Sequence, residues 1–251
     1  MDRRELSALA HADHPISAPL SDSTVEHLLR RAIRGQNAHL LDLGCGDGTW
    51  LLRALRARDG ATAVGVDISG AGFDDVLGEA ARLGLADRLE LRRQDVAEYR
   101  SDRKADLVLS VGAAYAFGGL LQTLQAAREH LAEDGLLLLG DCFWEREPDP
   151  AVRAAMEDGP QKFADLPTTV AQVVADGWTP VYGYTSTIAE WDEYEWCWTG
   201  TLAQWALDHP EHPDRDLALQ MSADHRTSWL GGYRGYLGFV VLLLRPTPAQ
   251  A

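Results

Sequence analysis

Between residues 39 and 140, short apolar runs alternate with helical patterns, and no other feature of the chain constrains its fold as strongly. The runs fall at residues 39–43, 63–66, 89–92, 105–110 and 136–140. Between them, apolar spacing predicts helices over 49–58, 72–83 and 120–131. Strands separated by crossover helices pair in parallel, and their helices cover both faces of a doubly wound α/β sheet. Gly84 and Gly135 stand where a helix should stop and a strand begin, as C-cap glycines do.

The flanks read differently. Residues 1–20 look irregular and are punctuated by Pro15 and Pro19. Ser21-Asp22-Ser23 then offers N-caps for a helix to about residue 34, with Val25, Leu28, Leu29 and Ile33 on one face. Downstream, 145–150 reads as a polar linker, 168–176 as a helix and 181–188 as a strand. Residues 189–208 read as a helix with Trp191, Tyr194, Trp198, Leu202 and Trp205 on one face. A second helical stretch runs to about 233, and 238–244 reads as a final strand. The expected division is an N-terminal lid segment and helix (1–37), a core (38–188), a helical cap insertion (189–236) and a last core strand with its tail (237–251).

At 251 residues and 46% hydrophobic content, the chain can bury one sizeable core. Its formal net charge is −15 at pH 7. Phosphate neutralisation needs a basic face, and no Lys/Arg-rich stretch is present, which disfavours a nucleic-acid partner. Cys45, Cys142 and Cys197 are far apart and lack metal-ligand spacing, so the expectation is reduced thiols, a cytoplasmic location and no metal. His209 and His212 are spaced loosely like ligands, but prolines and acids surround them and no third ligand is evident. The longest apolar runs are strand-length, and Met1–Glu5 has no apolar signal core, so neither membrane nor secretion is expected. Nearly all basic residues are arginine, the habit of a GC-rich bacterial genome.

The segment His39-Leu40-Leu41-Asp42-Leu43-Gly44-Cys45-Gly46-Asp47-Gly48-Thr49 joins an apolar strand to a helix through three alternating glycines. Such a turn lets a ligand approach the backbone closely. The next strand ends in Asp67, whose carboxylate can accept two hydrogen bonds from a ribose diol. The third ends in Asp95, one strand further out, where it can meet the amine of an adenine. All three features fall at carboxyl ends of strands, where open α/β sheets bind ligands. Dinucleotide enzymes favour G-x-G-x-x-G. Here the third glycine comes one residue early, and Asp42 and Asp47 would repel a pyrophosphate but attract a cation.

Asp42-x-Gly44-x-Gly46-x-Gly48, Asp67, Asp95 and Leu107-Val108-Leu109-Ser110 together resemble the successive motifs of class I methyltransferases over about residues 38–145. The resemblance implies a seven-stranded, mostly parallel Rossmann-like sheet and S-adenosyl-L-methionine as cofactor, released as S-adenosyl-L-homocysteine. It places Asp42, Gly44, Cys45 and Gly46 near the amino-acid part, Asp67 and Ile68 on the ribose side, Asp95 and Val96 near adenine, and Ser110 and Val111 beneath the methionine moiety. Three further segments resemble a bacterial branch of the family with a helical insertion before its last strand. They are Ser110–Gly119, Gly140-Asp141-Cys142-Phe143-Trp144 and Trp191-Asp192-Glu193-Tyr194-Glu195. Asp141 stands where that branch usually has Glu, and Cys142 where it has Pro.

Methyl transfer from a sulfonium needs alignment and exclusion of water, and needs a base only when the nucleophile carries a proton. The catalytic candidates are Asp141 as base or substrate anchor, His14 as lid residue or base, and Tyr115 beside the transferred methyl. Tyr115, Phe143, Trp144, Trp191 and Tyr194 are the substrate-binding candidates. The aromatic stripe of 191–205 is either helix core or a substrate cap. Its interleaved acids Glu190, Asp192, Glu193 and Glu195 are either a solvated face or a cage for a cationic amine. The expected partner is a small-molecule methyl acceptor, with the protein a monomer or homodimer. An NAD-dependent oxidoreductase and a non-catalytic S-adenosylmethionine-binding protein are the rival readings. Loss of a hydrogen bond to a charged group removes roughly 1.5–3 kcal/mol, so Asp67→Ala should weaken binding of S-adenosyl-L-homocysteine about 10- to 100-fold in a calorimetric titration.

Overall fold

The computed structural model describes residues 1, 3–156 and 162–248. Residue 2 of the lid segment, 157–161 of the expected core and 249–251 of the tail lie outside the described residues. Seven strands form one sheet: β1 (His39–Leu43), β2 (Thr62–Asp67), β3 (Leu89–Arg93), β4 (Ala105–Val111), β5 (Leu131–Trp144), β6 (Trp178–Thr185) and β7 (Leu237–Pro246). Their order is β3-β2-β1-β4-β5-β7-β6. Neighbours are parallel except at β7, which runs antiparallel to both β5 and β6. This is the doubly wound, mostly parallel sheet expected from the alternation.

The strands are apolar on both sides because both faces are covered. In β5, Leu136 and Leu138 enter one core layer, while Leu137 and Leu139 enter the other. The first layer also holds Val25, Leu28 and Leu29 of α2 (Asp22–Ala32) and Leu51 and Leu55 of α3 (Thr49–Ala57). Val76 and Ala80 of α4 (Phe73–Arg82) complete it. The second layer takes Leu124 and Ala127 of α5 (Leu120–His130) and Val173 of α7 (Leu166–Ala175). Ser21 caps α2 by accepting from the Thr24 amide at 3.1 Å, as its sequence promised.

Several expectations are corrected. The N-terminus is not irregular throughout: α1 spans Arg3–Ala10. At eight residues it is too short to stand alone, and packing stabilises it. Leu6 and Ala10 bury against Trp198, Leu202 and Ala206 of α8 (Ile188–Asp208) and Ala218 of α9 (Arg215–Ser228). The linker after β5 leads directly into α6 (Pro150–Met156), where the proline sits at the first position, tolerated because that amide has no helical partner. β6 begins three residues earlier than its apolar run suggested. It is an edge strand and accommodates Pro180 at a register shift between Pro180 and Tyr182. Gly135 is not a helix cap. It lies within β5, where an added Cβ would stand 2.9 Å from the Ala105 carbonyl oxygen.

α8 and α9 form the helical insertion between β6 and β7, followed by a π-helical turn at Trp229–Tyr233. They sit over the carboxyl-end side of the sheet together with residues 11–20, a strap joining α1 to α2. Trp50 of α3 fastens this strap, donating from Nε1 to the Ile16 carbonyl at 3.0 Å.

The crevice between β1 and β4 depends on Gly44. Its φ is +87°, and a Cβ there would lie 2.4 Å from the Ala113 Cβ. Positive φ in a non-glycine residue costs about 1–3 kcal/mol before any overlap is counted. Gly44→Ala should therefore lower the urea midpoint, and adding Ala113→Gly should restore the part due to overlap alone. A double variant no more stable than Gly44→Ala would show that the contact with Ala113 contributes nothing.

Candidate active site

The glycine turn folds back on the end of β2. The amides of Gly44 and Cys45 both donate to the Val66 carbonyl, at 2.9 and 3.1 Å. Gly46, at φ +58°, faces open space, with no atom within 4 Å of its Cβ position. Its amide donates to Asp67 Oδ2 at 3.0 Å, and Asp67 Oδ1 accepts from the Ser69 amide at 2.8 Å. The Gln94 amide donates to the Asp67 carbonyl at 2.9 Å, so the tips of β2 and β3 are joined. Asp95 follows on the exposed rim and accepts from the Ala97 amide at 2.9 Å, with Val96 buried behind it. Ile68, next to Asp67 in the chain, is 56% exposed. A carboxylate, an exposed apolar side chain and a second acid thus stand at or just past the joined tips of β2 and β3.

The charge around the turn is strongly negative. Asp42 is 4% exposed, and burial, then the charges of Asp67 and Asp47, push its carboxyl up to about 7. Asp47 accepts from the Thr49 amide at 2.8 Å and the Thr49 hydroxyl at 2.9 Å; burial raises its pKa against those bonds. Burial, followed by the Asp42, Asp67 and Asp47 charges, keeps the Cys45 thiol protonated. Cys45 is a small packing residue rather than a nucleophile. Such a turn favours a cationic ligand group and opposes a pyrophosphate.

The tips of β4 and β5 close the other side. Ser110 is fully buried, and its hydroxyl has no hydrogen-bond partner among the described residues. Val111 is part-buried beside it, and the Gly112 amide donates to the Gly140 carbonyl at 2.9 Å. The strap crosses here, with the Ser17 carbonyl oxygen 4.0 Å from the Cβ position of Gly112. His14 donates from Nε2 to the Ala18 carbonyl at 2.9 Å, which leaves Nδ1 as the other ring nitrogen. Tyr115 is 66% exposed on a 3-10 turn, and partial burial, then the Asp67 charge, raise its phenol. It thus stands on the Asp67 side of the crevice. Asp141 is 8% exposed, lies just past the last β4 pairing at Gly140 but inside β5, opposite Val240 of β7, and accepts from the Cys142 amide at 2.8 Å. Phe143 and Trp144, both buried, enter opposite core layers: Phe143 joins Trp178, whereas Trp144 lies on the cap side, edge-on to Phe163 at 5.8 Å.

The cap's acids behave individually. Thr187 and Glu190 form a capping box at the start of α8. Glu190 also accepts from the Ser21 amide at 2.9 Å, the Thr24 hydroxyl at 2.8 Å and the Tyr184 hydroxyl at 2.8 Å. Burial opposes its ionisation, but these donors hold it down at about 2. Asp192 takes a bidentate bond from Arg234 at 2.8 and 2.7 Å. Glu193 accepts from Cys197 Sγ at 3.7 Å. Glu195 alone points inward, 2% exposed, accepting from the Tyr233 hydroxyl and from His225 Nε2, each at 2.6 Å. His225 stacks on Trp198 with ring centroids 4.0 Å apart. Across from them, Tyr194 meets His11 at 5.8 Å and His14 at 5.5 Å, and it meets Trp191 at 6.3 Å.

His225, Tyr233 and His11 were not singled out from the sequence, and Glu195 was named only as one of four interleaved acids. One signal was available for Glu195: it follows Trp191 by four residues and precedes Trp198 by three, so it falls inside the apolar stripe rather than on the solvated face. The others come from distant segments. Among the described residues no group of three His, Cys, Asp or Glu is placed to hold a metal ion. No described helix is long and apolar enough to cross a membrane.

The family model described as a methyltransferase domain matches residues 35–207. This range contains the glycine turn, the strand tips and α8. The chain belongs to the methyltransferase domain family. Among solved structures, this methyltransferase is similar to one from Geobacter sulfurreducens in complex with S-adenosyl-L-homocysteine. The TM-score is 0.88 at 25% identity, covering 96% of this chain and 98% of the other. A second, from Thiobacillus denitrificans in complex with the same molecule, gives 0.87 at 26% identity, covering 98% and 99%. YjhP of Escherichia coli strain K12 is 26% identical over 227 residues, 89% of this chain and 90% of that protein. The fold is that of the class I methyltransferases.

Asp42 sets a pH dependence in the free protein. Its carboxyl ionises near 3.8 when unfolded and at about 7 when folded. Between those values the folded state holds a proton that the unfolded state has lost. Its contribution is therefore full below the lower pKa and is lost as pH rises through 7. Asp42→Asn should stabilise the free methyltransferase more at pH 8 than at pH 5, measured as the difference in urea midpoint from wild type. An equal difference at both pH values would mean that Asp42 ionises normally.

Proposed function

We propose that this methyltransferase passes the methyl group of S-adenosyl-L-methionine to an N or O atom of a small molecule, in secondary metabolism. Asp67, exposed Ile68 and Asp95 at the joined tips of β2 and β3, beside a negatively charged glycine turn, are the observation that supports the reading best. An adenosyl group matches it part by part: a diol for Asp67, an apolar ring face for Ile68 and Val96, and an exocyclic amine for Asp95. The ammonium of the amino-acid tail suits Asp42 and the open backbone of Gly44, Cys45 and Gly46. The buried Ser110 hydroxyl and Val111 lie under that tail. S-adenosyl-L-homocysteine, held by the Geobacter and Thiobacillus proteins, has each of these groups.

When bound, the cofactor supplies an activated methyl on a positive sulfonium. The protein's own work is to align the acceptor and keep water out. The strap and the α8–α9 cap enclose the strand tips for that purpose. Asp141 serves as base or anchor for the acceptor from β5. His14, on the strap, has one ring nitrogen engaged by Ala18 and the other available to accept a proton. Tyr115 closes the Asp67 side, and Trp144, Trp191 and Tyr194 face the acceptor from the cap side, with Phe143 bracing the β5 tip. The acidic charge and separated thiols suit a bacterial cytoplasmic protein, a monomer or homodimer that does not bind nucleic acid.

The test has two stages. Calorimetry should show binding of S-adenosyl-L-homocysteine and none of NADH. A panel of amines, phenols and carboxylates with S-adenosyl-L-methionine should then yield S-adenosyl-L-homocysteine with at least one acceptor. On that acceptor Asp141→Asn should lower kcat by about 100-fold or more if the side chain removes a proton. Binding of NADH alone would overturn the cofactor reading, and good S-adenosyl-L-methionine affinity without turnover on any class would overturn the enzymatic one.

A further inference from the structure

Two buried polar atoms between strap and cap have no hydrogen-bond partner among the described residues, and a half-buried phenol lies beside them. His11 Nδ1 and Trp191 Nε1 are buried and unpaired, and the Tyr194 hydroxyl makes no hydrogen bond. An unpaired buried polar atom costs about 1–3 kcal/mol, so such atoms are rare singly and rarer together. Here the rings that carry them both contact the Tyr194 ring. Tyr194 lies 5.8 Å from His11 and 6.3 Å from Trp191, centroid to centroid. His11 and Tyr194 come from opposite sides, the end of α1 and the middle of α8. The β5 tip adjoins them: Cys142, next to Asp141, feels the charges of Asp141 and Glu195.

We propose that this cluster is the acceptor subsite and that it takes an uncharged phenol-type compound. The ring seats among Trp191, Tyr194 and Tyr233, and the hydroxyl is shared by His11, Tyr194 and Trp191. The proposal rests on the methyltransferase reading for its biological meaning, but the site is argued from its own atoms. Trp191 Nε1 can only donate, the Tyr194 hydroxyl can do either, and His11 Nδ1 accepts or donates according to its tautomer. A hydroxyl both donates and accepts, so it satisfies the set in either tautomer. An ammonium cannot accept and a carboxylate cannot donate.

Charge points the same way. A cationic acceptor would have to compete with protein donors for the carboxylates of α8. On α8, Glu190 and Asp192 are bonded to protein donors, and both oxygens of Glu195 are taken by Tyr233 and His225. An anionic acceptor meets Asp141 and Glu195, both buried nearby. Burial, then the proximity of His14 and His225, hold the His11 imidazole down at about 4, so it is neutral at neutral pH. The walls are aromatic and mutually edge-on, with Trp191 at 81° to Tyr194 and 65° to Tyr233, so a flat ring that parts them replaces one edge-to-face contact with another. Since the atoms are closed over, entry parts the strap from α8.

Four probes of similar size separate the outcomes: phenol, toluene, benzylammonium and benzoate, titrated by ligand-observed NMR with and without S-adenosyl-L-homocysteine. Phenol should bind at least about tenfold more tightly than the two ions. Tyr194→Phe and His11→Phe should weaken phenol about 3- to 10-fold, the loss of one hydrogen bond, and leave toluene and S-adenosyl-L-homocysteine unchanged. The unchanged homocysteine affinity also reports that each variant is folded. Preference for either ion, no binding of any probe, or equal phenol affinity in wild type and both variants would overturn the proposal. Failure of S-adenosyl-L-homocysteine to bind would instead sink the cofactor reading, while the phenol series still decides this one.

Discussion

The site depends on one shared acceptor, the carbonyl of Val66. It takes the amides of Gly44 and Cys45 together and thereby folds the glycine turn onto the end of β2. That brings the Gly46 amide to Asp67, so the turn and the second strand tip are one hydrogen-bonded unit. It also brings Gly44 against Ala113 of the β4 loop, which sets the width of the crevice where the sheet order reverses. Open α/β sheets bind ligands at such a point because the connections diverge there and leave the strand ends uncovered. Packed side chains elsewhere could shift by a few tenths of an ångström. This contact has no room to do so.

A second node holds the lid. Glu190 is a helix cap, yet it also binds the first residues around α2 and a tyrosine of β6. One carboxylate therefore ties the insertion to the N-terminal helix and to the edge of the sheet. α1 adds an apolar contact to α8 and α9, and the strap between these fastenings passes over the β4 tip. Negative charge is concentrated on the ligand side of this arrangement, at Asp42, Asp47 and Asp67. The free protein holds that charge against its own stability: burial first, then the charges of Asp67 and Asp47, raise the pKa of Asp42.

The core was largely legible in the chain. β1 has the bounds its apolar run gave it, and the helices at 49, 73 and 120 begin within a residue or so of their periodic patterns. Apolar period and capping chemistry are local, so they survive folding unchanged. The glycine turn and the two acids at later strand tips were legible for a related reason: backbone geometry and strand ends fix their positions. Less was visible at the N-terminus. Leu6 and Ala10 of α1 have meaning only against Trp198 and Leu202, which lie almost two hundred residues away.

Sequence by itself determined the parallel sheet, the glycine turn that lets a ligand approach the backbone, and the chemistry of a cationic nucleoside ligand. Period, positive φ and charge are properties of short segments, and they leave little choice. Tertiary structure alone decided which partners the cap's four acids find, and that His11, Tyr194 and Trp191 meet. Glu190, Asp192, Glu193 and Glu195 look alike along the chain. They differ because Glu190 meets the start of α2 and a tyrosine of β6, Asp192 meets Arg234 beyond α9, Glu193 meets Cys197 of its own helix and Glu195 meets His225 and Tyr233, and most of those partners are remote in the chain.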